Sequence, residues 1–302
     1  MLFLFFNVFY VVGIVLFFKD IFSGLWFIYK KFIRSQKDII SIYGKNTWAL
    51  ITGASDGIGK AFCEELAQYG FNICLLARNK EKLDQVEREI RRLNPNISTK
   101  VVVSDLSKAY EEGFCSEIEQ QIQDLDISIL VNNAGIGGSN TFERMQFDHI
   151  KNLVITNALS PVLITRCIVP TMLKREKKSA IINLSSFCAS RPLPYASVYG
   201  STKIFDDFMA RSLAIEYENK IDCLALRPNW VSTKLSTKRI NNFDVISSNK
   251  CVVDALKELG YEKVTAGNWI HSMLEWFIGT FAPDYIVKIA GYRVLNIIDK
   301  IK

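Results

Sequence analysis

The sequence predicts an α/β fold in which a doubly wound parallel sheet follows an N-terminal membrane helix. Three observations support this prediction. From residue 45 onward, short apolar runs alternate with amphipathic stretches, which is the pattern of consecutive βαβ units. A glycine-rich turn at residues 52–59 separates the first apolar run from the amphipathic stretch that follows it. The first 18 residues are apolar almost throughout, unlike the rest of the chain.

Residues 1–40 are predicted to attach the chain to a membrane. Residues 1–18 are apolar except for Asn7 and two softer positions, and as a helix they would span about 27 Å. A basic start and a small-residue cleavage site are both missing, so a signal anchor is favoured over a cleaved signal peptide. A monotopic hairpin or an interfacial helix is the alternative. Basic residues follow only on the C-terminal side, which predicts a cytosolic location for the remainder of the chain. These residues are Lys30, Lys31, Arg34 and Lys37.

Composition narrows the classes of function. The net charge of +6 comes from scattered basic residues without a basic stripe and interleaved aromatics, so nucleic-acid binding is not predicted. Seven widely spaced cysteines, odd in number and without a Cys-x-x-Cys motif, favour a reducing compartment. The two histidines, His149 and His271, have no partner at zinc-ligand spacing, so no metal site is predicted.

The second part of the chain, residues 45–235, is predicted to form one domain because no linker divides it. Six short apolar runs are predicted as strands, at residues 47–52, 72–77, 100–103, 127–131, 180–184 and 222–226. Helices are predicted at about 57–69, 80–93, 111–123, 147–173 and 199–217. Residues 236–302 form a C-terminal extension on the substrate side, which is polar with loop and helix character up to about 265. Its apolar part, residues 269–298, suits a substrate lid, a membrane-contacting hairpin or ordinary core helices.

The glycine turn has the properties of a dinucleotide-binding loop. Gly53 permits a tight turn, Gly57 lets the backbone approach a pyrophosphate, and Gly59 allows a helix to pack closely on the sheet. The helix that begins here offers N–H groups and a partial positive charge to phosphates. The spacing is Gly-x-x-x-Gly-x-Gly, and its setting between a strand and a helix predicts a Rossmann-type domain.

A second candidate feature is the pair Tyr199 and Lys203. Residues four apart on a helix share a face, so the phenol is expected beside the ammonium. The positive charge would favour the phenolate and lower the pKa of Tyr199, which would make the phenol a proton donor at neutral pH. This spacing is common in exposed helices, so its meaning depends on the other motifs.

Together these motifs resemble the short-chain dehydrogenase/reductase family over about residues 45–235. The resemblance rests on the glycine turn, on Asn132-Asn-Ala-Gly135, on Ser186 thirteen residues before Tyr199, and on Lys203. The chain is similar in particular to the membrane-bound 17β-hydroxysteroid dehydrogenase and very-long-chain 3-oxoacyl-CoA reductase branch. The apolar N-terminus supports this, as do Asp56-Gly-Ile-Gly-Lys60, Ile129-Leu-Val-Asn-Asn133, Ile182-Asn-Leu-Ser-Ser186, Val231-Ser-Thr-Lys-Leu235 and the late Gly267, His271 and Pro283.

The resemblance implies a catalytic role for four residues. Tyr199 would donate the proton, and Lys203 would lower its pKa and hold the nicotinamide ribose. Ser186 would orient and polarise the substrate carbonyl, a role for which its neighbour Ser185 has the wrong interval to Tyr199. Asn157 would hold a water of the proton relay, although a structural role is the alternative for an asparagine in mid-helix.

The resemblance also implies a set of cofactor contacts. Asn132 is expected to line the adenosine-side ribose, Asp105 to contact adenine or cap a helix, and Thr233 to lie near the carboxamide and phosphates. The full set is Gly53, Ser55, Asp56, Gly57, Ile58, Gly59, Arg78, Asp105, Asn132, Tyr199, Lys203 and Thr233.

The end of the second predicted strand favours NADPH over NADH. NAD enzymes of this architecture usually carry an acidic residue there, which accepts a hydrogen bond from the ribose 2′-hydroxyl. Here Ala77 is followed by Arg78, which would welcome a 2′-phosphate. A plain surface role for Arg78 is the alternative, and Asp56 stands where many NADP-preferring relatives have a basic residue.

The predicted function is NADPH-dependent reduction of a lipid-like ketone at the endoplasmic reticulum membrane, with the catalytic domain facing the cytosol. A steroid ketone and a long-chain 3-oxoacyl-CoA are both consistent with the motifs. The alternatives are an NAD(P)-dependent retinol or sterol alcohol dehydrogenase and a non-catalytic binding protein of the same fold. A homodimer is one option for the oligomeric state.

Overall fold

The chain divides into two units, residues 1–36 and residues 37–302. The structure is a computed structural model that describes residues 2–233, 243–283 and Lys288. In the first unit, helix α1 (Leu2–Ile28) runs into one π-helical turn (Tyr29–Ile33). The most apolar window of the stretch Tyr10–Ile33 has a mean hydropathy of 1.9, and none of that window is buried. By length and composition it is therefore a candidate membrane span.

The second unit is built on a seven-stranded sheet whose neighbouring strands are all parallel. The strands are β1 (Trp48–Thr52), β2 (Asn72–Ala77), β3 (Thr99–Val103), β4 (Ile127–Asn132), β5 (Ser179–Leu184), β6 (Ile221–Leu226), β7 (Val231–Ser232), β8 (Ile246–Ser247) and β9 (Val264–Thr265). The sheet order is β3-β2-β1-β4-β5-β6-β9, while β7 and β8 pair with each other. The strand order reverses between β1 and β4, which is where open α/β sheets bind ligands.

Helices cover both faces of the sheet. They are α2 (Ile39–Tyr43), α3 (Gly57–Tyr69), α4 (Lys80–Leu93), α5 (Phe114–Ile122), α6 (Phe147–Val154), α7 (Ser160–Lys174), α8 (Ser197–Glu216), α9 (Ser248–Glu258) and α10 (Trp269–Phe281). A π-helical segment (Ile155–Leu159) joins α6 to α7 without a break. The combined stretch Phe147–Lys174 is apolar enough for a membrane span, but 61% of its most apolar window is buried in the protein, as in a core helix.

Two hydrophobic clusters, one on each face, hold the sheet to its helices. Ala49 and Ile51 of β1 belong to the cluster that contains residues of α3, α4 and α9. Leu50, between them, belongs to the cluster that contains residues of α5 and α7. Because both faces are buried, the strands are continuous apolar runs without polar alternation, which is why they could be recognised in the sequence. Each of the six predicted strands lies within one residue of the observed bounds.

The C-terminal extension contributes more to the core than the sequence predicts. Within the stretch predicted to be polar, α9 packs its buried residues Val252, Ala255 and Leu256 into the cluster that contains α3. The two-residue strand β9 then completes the sheet beside β6. A strand this short has no recognisable period, which is why the sequence does not reveal it.

Helix α10 combines a buried side and an exposed apolar side. His271 is only 1% exposed and lies on the buried side. The opposite side carries large apolar residues that are at least 41% exposed, namely Trp269, Met273, Trp276 and Phe277. Of the three interpretations of this segment, an ordinary core helix does not account for the exposed side. The predicted apolar stretch beyond residue 283 lies outside the described residues, apart from Lys288.

Candidate active site

A cavity of about 360 Å³ lies at the carboxyl edge of the sheet, beside the reversal between β1 and β4. Residues that follow five different strands line it, so parallel strand ends bring together segments that are distant in sequence. The predicted cofactor residues among them are Gly53, Ser55, Asp56, Gly57, Ile58, Arg78, Asp105 and Thr233. The other lining residues include Ser104, Asn133, Gly135, Asn152 and Leu184.

The glycine turn has no room for side chains. Gly53 has a φ of +65°, and a Cβ there would lie 2.9 Å from the Cα of Ala134. A Cβ on Gly59 would lie 2.3 Å from the carbonyl oxygen of Gly53, although Gly59 does not line the cavity. Its lack of a side chain lets α3 pack against the turn, which is the role predicted for it. Gly57, with a φ of +55°, approaches Thr233 Cγ2, because a Cβ there would be 3.1 Å away.

Asp56 caps the N-terminus of α3. Its carboxylate accepts a hydrogen bond of 2.8 Å from the N–H of Gly57. One donor of the helix end predicted to bind phosphates is therefore engaged by an anionic side chain. The position of Asp56 at the cavity makes it a local negative charge that a bound phosphate would have to accommodate.

The adenosine end of the cavity contains both predicted polar groups. Arg78 is exposed and lines the cavity, while the next residue, Asn79, accepts from the N–H of Lys82 at 2.8 Å and caps α4. Asp105 accepts from the N–H and hydroxyl of Ser107, at 3.1 and 2.8 Å. Asp105 therefore caps a short helical turn, as one of the two roles considered for it, and also lines the cavity, while its contact with adenine stays a prediction.

Asn132 is not among the residues that line the cavity, and its predicted contact with a ribose stays a prediction. It is 6% exposed, and its amide nitrogen donates to Thr165 Oγ1 at 2.9 Å and to Asn183 Oδ1 at 3.0 Å. Asn133, directly after β4, lines the cavity and donates to the carbonyl oxygen of Thr52 at 2.8 Å. The two adjacent asparagines therefore have different surroundings.

Three predicted catalytic residues meet where β5 ends beside α8. Ser186 lies close enough to the phenol of Tyr199 for its hydroxyl to lower the pKa of that phenol. The ammonium of Lys203 is 4% exposed and donates to the carbonyl oxygen of Leu184 at 2.7 Å. Ser185 has a different role, since its buried hydroxyl donates to the carbonyl oxygen of Lys203 at 2.7 Å and ties α8 to the sheet. Of the two serines, only Ser186 is therefore placed to act with the phenol.

The pKa of Tyr199 is raised, in contrast to the predicted lowering. Burial is the largest cause and raises the pKa of Tyr199 above its usual value. The positive charge of Lys203 and the hydrogen bond from Ser186 lower it, as predicted, but they do not outweigh burial. The sequence indicated the charge beside the phenol, whereas the degree of burial depends on the tertiary structure.

Asn157 lies in the π-helical segment and is fully buried. Its Oδ1 accepts from the N–H of Ile136 at 2.8 Å, and its Nδ2 donates to the Ile136 carbonyl oxygen at 2.9 Å and to Thr202 Oγ1 at 3.2 Å. The amide side chain therefore positions the loop after β4, which is the structural role considered for it, and its contact with a water of the proton relay stays a prediction.

Gly135 marks the boundary between the catalytic cluster and the cavity. It lines the cavity, and a Cβ at this residue would lie 3.3 Å from Asn157 Oδ1 and 3.5 Å from Lys203 Nζ. The proton-handling groups are thus in contact with the wall of the predicted cofactor site.

Several residues around the site were not predicted. Asp206 Oδ2 lies 3.1 Å from Lys203 Nζ, and an acid three residues after a lysine on one helix was the signal available for it. Arg227 binds both carboxylate oxygens of Asp207, at 2.6 and 2.8 Å, and also Glu275 at 3.0 Å, which ties α10 to α8. No sequence pattern indicates this second network, because its residues lie far apart in the chain.

Two further contacts hold α10 beside the site. His271 Nδ1 accepts from the N–H of Asn229 at 3.2 Å, just before the strand that leads to Thr233. Arg191, from the loop after Ser186, donates to the carbonyl oxygens of Ile278 and Ala282 at the end of α10. The last described helix is thereby connected to both sides of the candidate site.

Comparison with known proteins decides the family. A model of the family described as short chain dehydrogenase matches residues 47–243, a range that contains strands β1 to β7 of the second unit. The chain belongs to the short-chain dehydrogenase family. The resemblance and the Rossmann-type fold predicted from the sequence are thereby confirmed, and the protein is an oxidoreductase of this family.

Two relatives illustrate the similarity in sequence. Hydroxysteroid dehydrogenase-like protein 1 from Gallus gallus is 35% identical over 256 residues, which cover 82% of this chain and 75% of the relative. Very-long-chain 3-oxoacyl-CoA reductase from Bos taurus is 34% identical over 254 residues, which cover 81% of this chain and 78% of the relative.

Solved structures agree on the fold. A 7β-hydroxysteroid dehydrogenase aligns with a TM-score of 0.75 at 22% identity, covering 84% of this chain and 99% of that one. A short-chain dehydrogenase from Sphingobium yanoikuyae in complex with NADPH aligns with a TM-score of 0.64 at 27% identity, covering 70% of this chain and 84% of that one. A 3-ketoacyl-(acyl-carrier-protein) reductase from Brucella melitensis complexed with NADH has a TM-score of 0.64 at 26% identity, covering 73% of this chain and 95% of that one. The family thus uses a nicotinamide dinucleotide of either kind.

Proposed function

We propose that this protein is an NADPH-dependent carbonyl reductase that acts on a lipid-like ketone at a membrane surface. The observation that carries the proposal is the meeting of Ser186, Tyr199 and Lys203 beside a cavity whose opposite end is lined by the glycine turn. A proton donor and a cavity for the cofactor are the two parts that a hydride-transfer enzyme needs side by side.

The cavity residues fit a nicotinamide dinucleotide phosphate. Gly53 and Gly57 leave the backbone open to a pyrophosphate, and Thr233 closes the cavity at the far side of the same turn. Arg78 supplies a positive charge next to the hydroxyl groups of Ser104 and Ser107, which suits a 2′-phosphate. When bound, the cofactor supplies the hydride that the carbonyl carbon accepts.

The residues of α8 and of the loop after β5 handle the proton. Ser186 donates a hydrogen bond to the carbonyl oxygen and orients it, and Tyr199 transfers its phenolic proton to that oxygen. One hydride on carbon and one proton on oxygen convert the ketone into a secondary alcohol. A raised pKa keeps Tyr199 protonated at neutral pH, as a donor must be, and Lys203 stabilises the phenolate that remains. Asn157, Lys203 and water then return a proton to the phenolate.

Two observations support a lipid-like substrate. The candidate span in α1 would hold the enzyme where hydrophobic ketones partition. The relatives at 33–35% identity are named as 3-oxoacyl-CoA reductases and a hydroxysteroid dehydrogenase-like protein. We accordingly propose an endoplasmic reticulum enzyme facing the cytosol, with residues 1–40 as the anchor, 45–235 as the catalytic domain and 236–302 on the substrate side.

The test is a reductase assay on membranes that contain the full chain. NADPH oxidation is followed with steroid ketones and with 3-oxoacyl-CoAs of increasing chain length. We expect turnover with at least one of these classes, and we expect Tyr199→Phe to reduce it by about 10²–10⁴-fold while NADPH binding stays nearly unchanged. Turnover by Tyr199→Phe at the wild-type rate would refute the catalytic assignment. The absence of turnover with every ketone and acyl-CoA would refute the substrate class.

A further inference from the structure

Asp206 is a buried carboxylate in contact with the lysine of the candidate site. It is 3% exposed, lies one helical turn beyond Lys203 on α8, and reaches its ammonium with Oδ2 at 3.1 Å. Tyr199 lies one turn before Lys203 on the same face, so the ammonium has a phenol on one side and a carboxylate on the other. Burying a charge is unfavourable unless it is paired, so the ion pair with Lys203 is what makes an ionised Asp206 tolerable here.

A chain of neutral polar groups lies behind this pair. The amide of Asn183 donates to the backbone carbonyl of Asp206 at 3.2 Å and accepts from Asn132 at 3.0 Å, which also donates to Thr165. The second carboxylate oxygen, Asp206 Oδ1, is buried and has no hydrogen-bond partner among the described residues. The carboxylate is thus held by one strong interaction, the one with Lys203, and its charge acts mainly there.

We propose that Asp206 is a positioning residue of the reaction, whose carboxylate holds the Lys203 ammonium beside Tyr199 and keeps the proton on that pair at neutral pH, in favour of carbonyl reduction. This inference rests on the proposed role of Tyr199 as the proton donor. The negative charge of Asp206 raises the pKa of both Tyr199 and Lys203, because it stabilises the ammonium and opposes a phenolate nearby. Burial in turn raises the pKa of Asp206 to about 6.

The other ionisable groups that act on this pair are few. Within the described residues, Asp207 on α8 acts on Asp206, and Cys188 after β5 acts on Tyr199 and Lys203. The π-helical segment, β4 and β5 contribute the neutral amides already named. The charged groups on β6 and α6, the other elements that pack against α8, have partners elsewhere or are exposed. After and within β6, Arg227 pairs with Asp207 and Asp222 pairs with Lys178. On α6, Lys151 lies over the ring of Tyr110, His149 lies against Gly138, and Asp148 is exposed.

The direction of the effect follows from the charges. Without the carboxylate, the first proton leaves the Tyr199–Lys203 couple at a lower pH, whichever of the two groups releases it. The phenol then donates less reliably in reduction at alkaline pH, and the phenolate form needed to oxidise an alcohol appears earlier. With the carboxylate, the protonated couple persists to higher pH, and reduction is favoured.

The test compares Asp206→Asn with wild type and with Asp207→Asn as a matched control. Asp207 is a buried, ion-paired carboxylate on the same helix, but its partners are Arg211 and Arg227. Ionisation of Tyr199 is followed by ultraviolet difference titration of the full chain, with Tyr199→Phe as the blank, in the absence of substrate and cofactor. The pH dependence of kcat/KM is measured in both directions as a second readout.

We expect Asp206→Asn to lower the titration midpoint of Tyr199 by about 1 pH unit at most, because the removed negative charge opposes the phenolate. In the pH profiles of kcat/KM, the alkaline fall of the reduction and the rise of the alcohol oxidation should move to lower pH by the same amount as the titration midpoint. Asp207→Asn should leave all of these midpoints unchanged. An unchanged midpoint in Asp206→Asn, or an equal shift in the control, overturns the inference. Wild-type turnover by Tyr199→Phe would instead refute the proposed function, and the titration would still decide the effect of Asp206.

A further measurement covers the case in which Asp206→Asn and the smaller Asp206→Ser both fail to fold. In wild type, kcat for reduction should change as Asp206 takes up a proton near pH 6, because the phenol then becomes more acidic. A wild-type profile without an inflection in this region overturns the inference.

Discussion

Replacing Gly59 by alanine should loosen the contact between α3 and the glycine turn and weaken cofactor binding. An added Cβ would lie 2.3 Å from the carbonyl oxygen of Gly53 and 2.4 Å from Nδ2 of Asn133. The first of these atoms belongs to the backbone, so it cannot rotate away. Because non-bonded heavy atoms prefer about 3.5–4.0 Å, the start of α3 has to move by roughly 1 Å relative to β1.

Two effects follow from this displacement. Overpacking of this kind costs about 1–3 kcal/mol of folding stability, so the Tm should fall by several degrees. The N-terminus of α3 forms the cavity wall at Gly57 and Ile58, so a shift there also changes the position of a bound cofactor. A misplacement of about 1 Å can reduce a rate on the order of 10²-fold, which corresponds to about 2.7 kcal/mol. We therefore expect a loss of catalysis that is comparable in free energy to the loss of stability.

The assay combines thermal unfolding in detergent with titration of NADPH and with kcat/KM. Gly70→Ala is the matched control, since Gly70 ends α3 at a φ of +96° and an added Cβ there would meet no atom within 4 Å. That substitution should lower stability by about 1–2 kcal/mol through backbone strain alone and leave NADPH affinity unchanged. Wild-type NADPH affinity and kcat/KM in Gly59→Ala would refute the close-packing explanation. An equal loss of affinity in Gly70→Ala would show that general destabilisation is responsible.

Two predictions concern the ends of the site. Arg78→Asp should weaken NADPH binding by about 10–100-fold and favour NADH, because an acidic side chain repels the 2′-phosphate and accepts a hydrogen bond from a 2′-hydroxyl. Parallel titrations of the wild type and the variant with NADPH and NADH check this. A retained preference for NADPH would contradict the proposed role of Arg78. Burial lowers the pKa of His271, so the stability gained from the neutral ring is present above pH of about 6.5 and is lost as the pH falls through the lowered value. As the pH is lowered through that window, the Tm of the wild type should fall, and the Tm of His271→Gln should fall much less. Equal slopes of Tm against pH in the two proteins would show that the contact of His271 with Asn229 does not contribute to stability.

The strands and the glycine turn were predictable because their physical requirements are local. A strand buried on both faces is expected to be a mostly apolar run, and β1, β2 and β4 each have such a run with few polar residues. Gly53 has a positive φ that the tight turn requires, and Gly59 is required by a contact with Gly53 inside the same strand–turn–helix unit. The spacing of Tyr199 and Lys203 likewise predicted a shared helix face, because helical periodicity is a local property.

The remaining features depend on contacts that no local pattern encodes. Asn132 and Asn133 are identical residue types at adjacent positions, and only the orientation of β4 decides which one faces the cavity. Strand β9 is recognisable as a strand only because β6 lies beside it. Asn157 holds the loop after β4 through a residue 21 positions earlier, so the sequence could offer a structural role but not the partner. The sequence therefore did not reveal features that depend on long-range contacts, whereas the six longer strands of the sheet were predicted correctly.

The electrostatics of α8 connect these two kinds of information. Spacing alone indicates a lysine that makes Tyr199 more acidic, but burial and Asp206 act in the opposite direction. A phenol with a raised pKa is a poor general base and remains a proton donor throughout the neutral range. The proposed preference for NADPH at Arg78 and the high proton affinity of Tyr199 would then have the same effect, because each of them favours reduction. A variant with only one of them changed should reduce ketones less well without becoming an efficient alcohol dehydrogenase, and the combination of Arg78→Asp with Asp206→Asn should shift the direction further than either change alone.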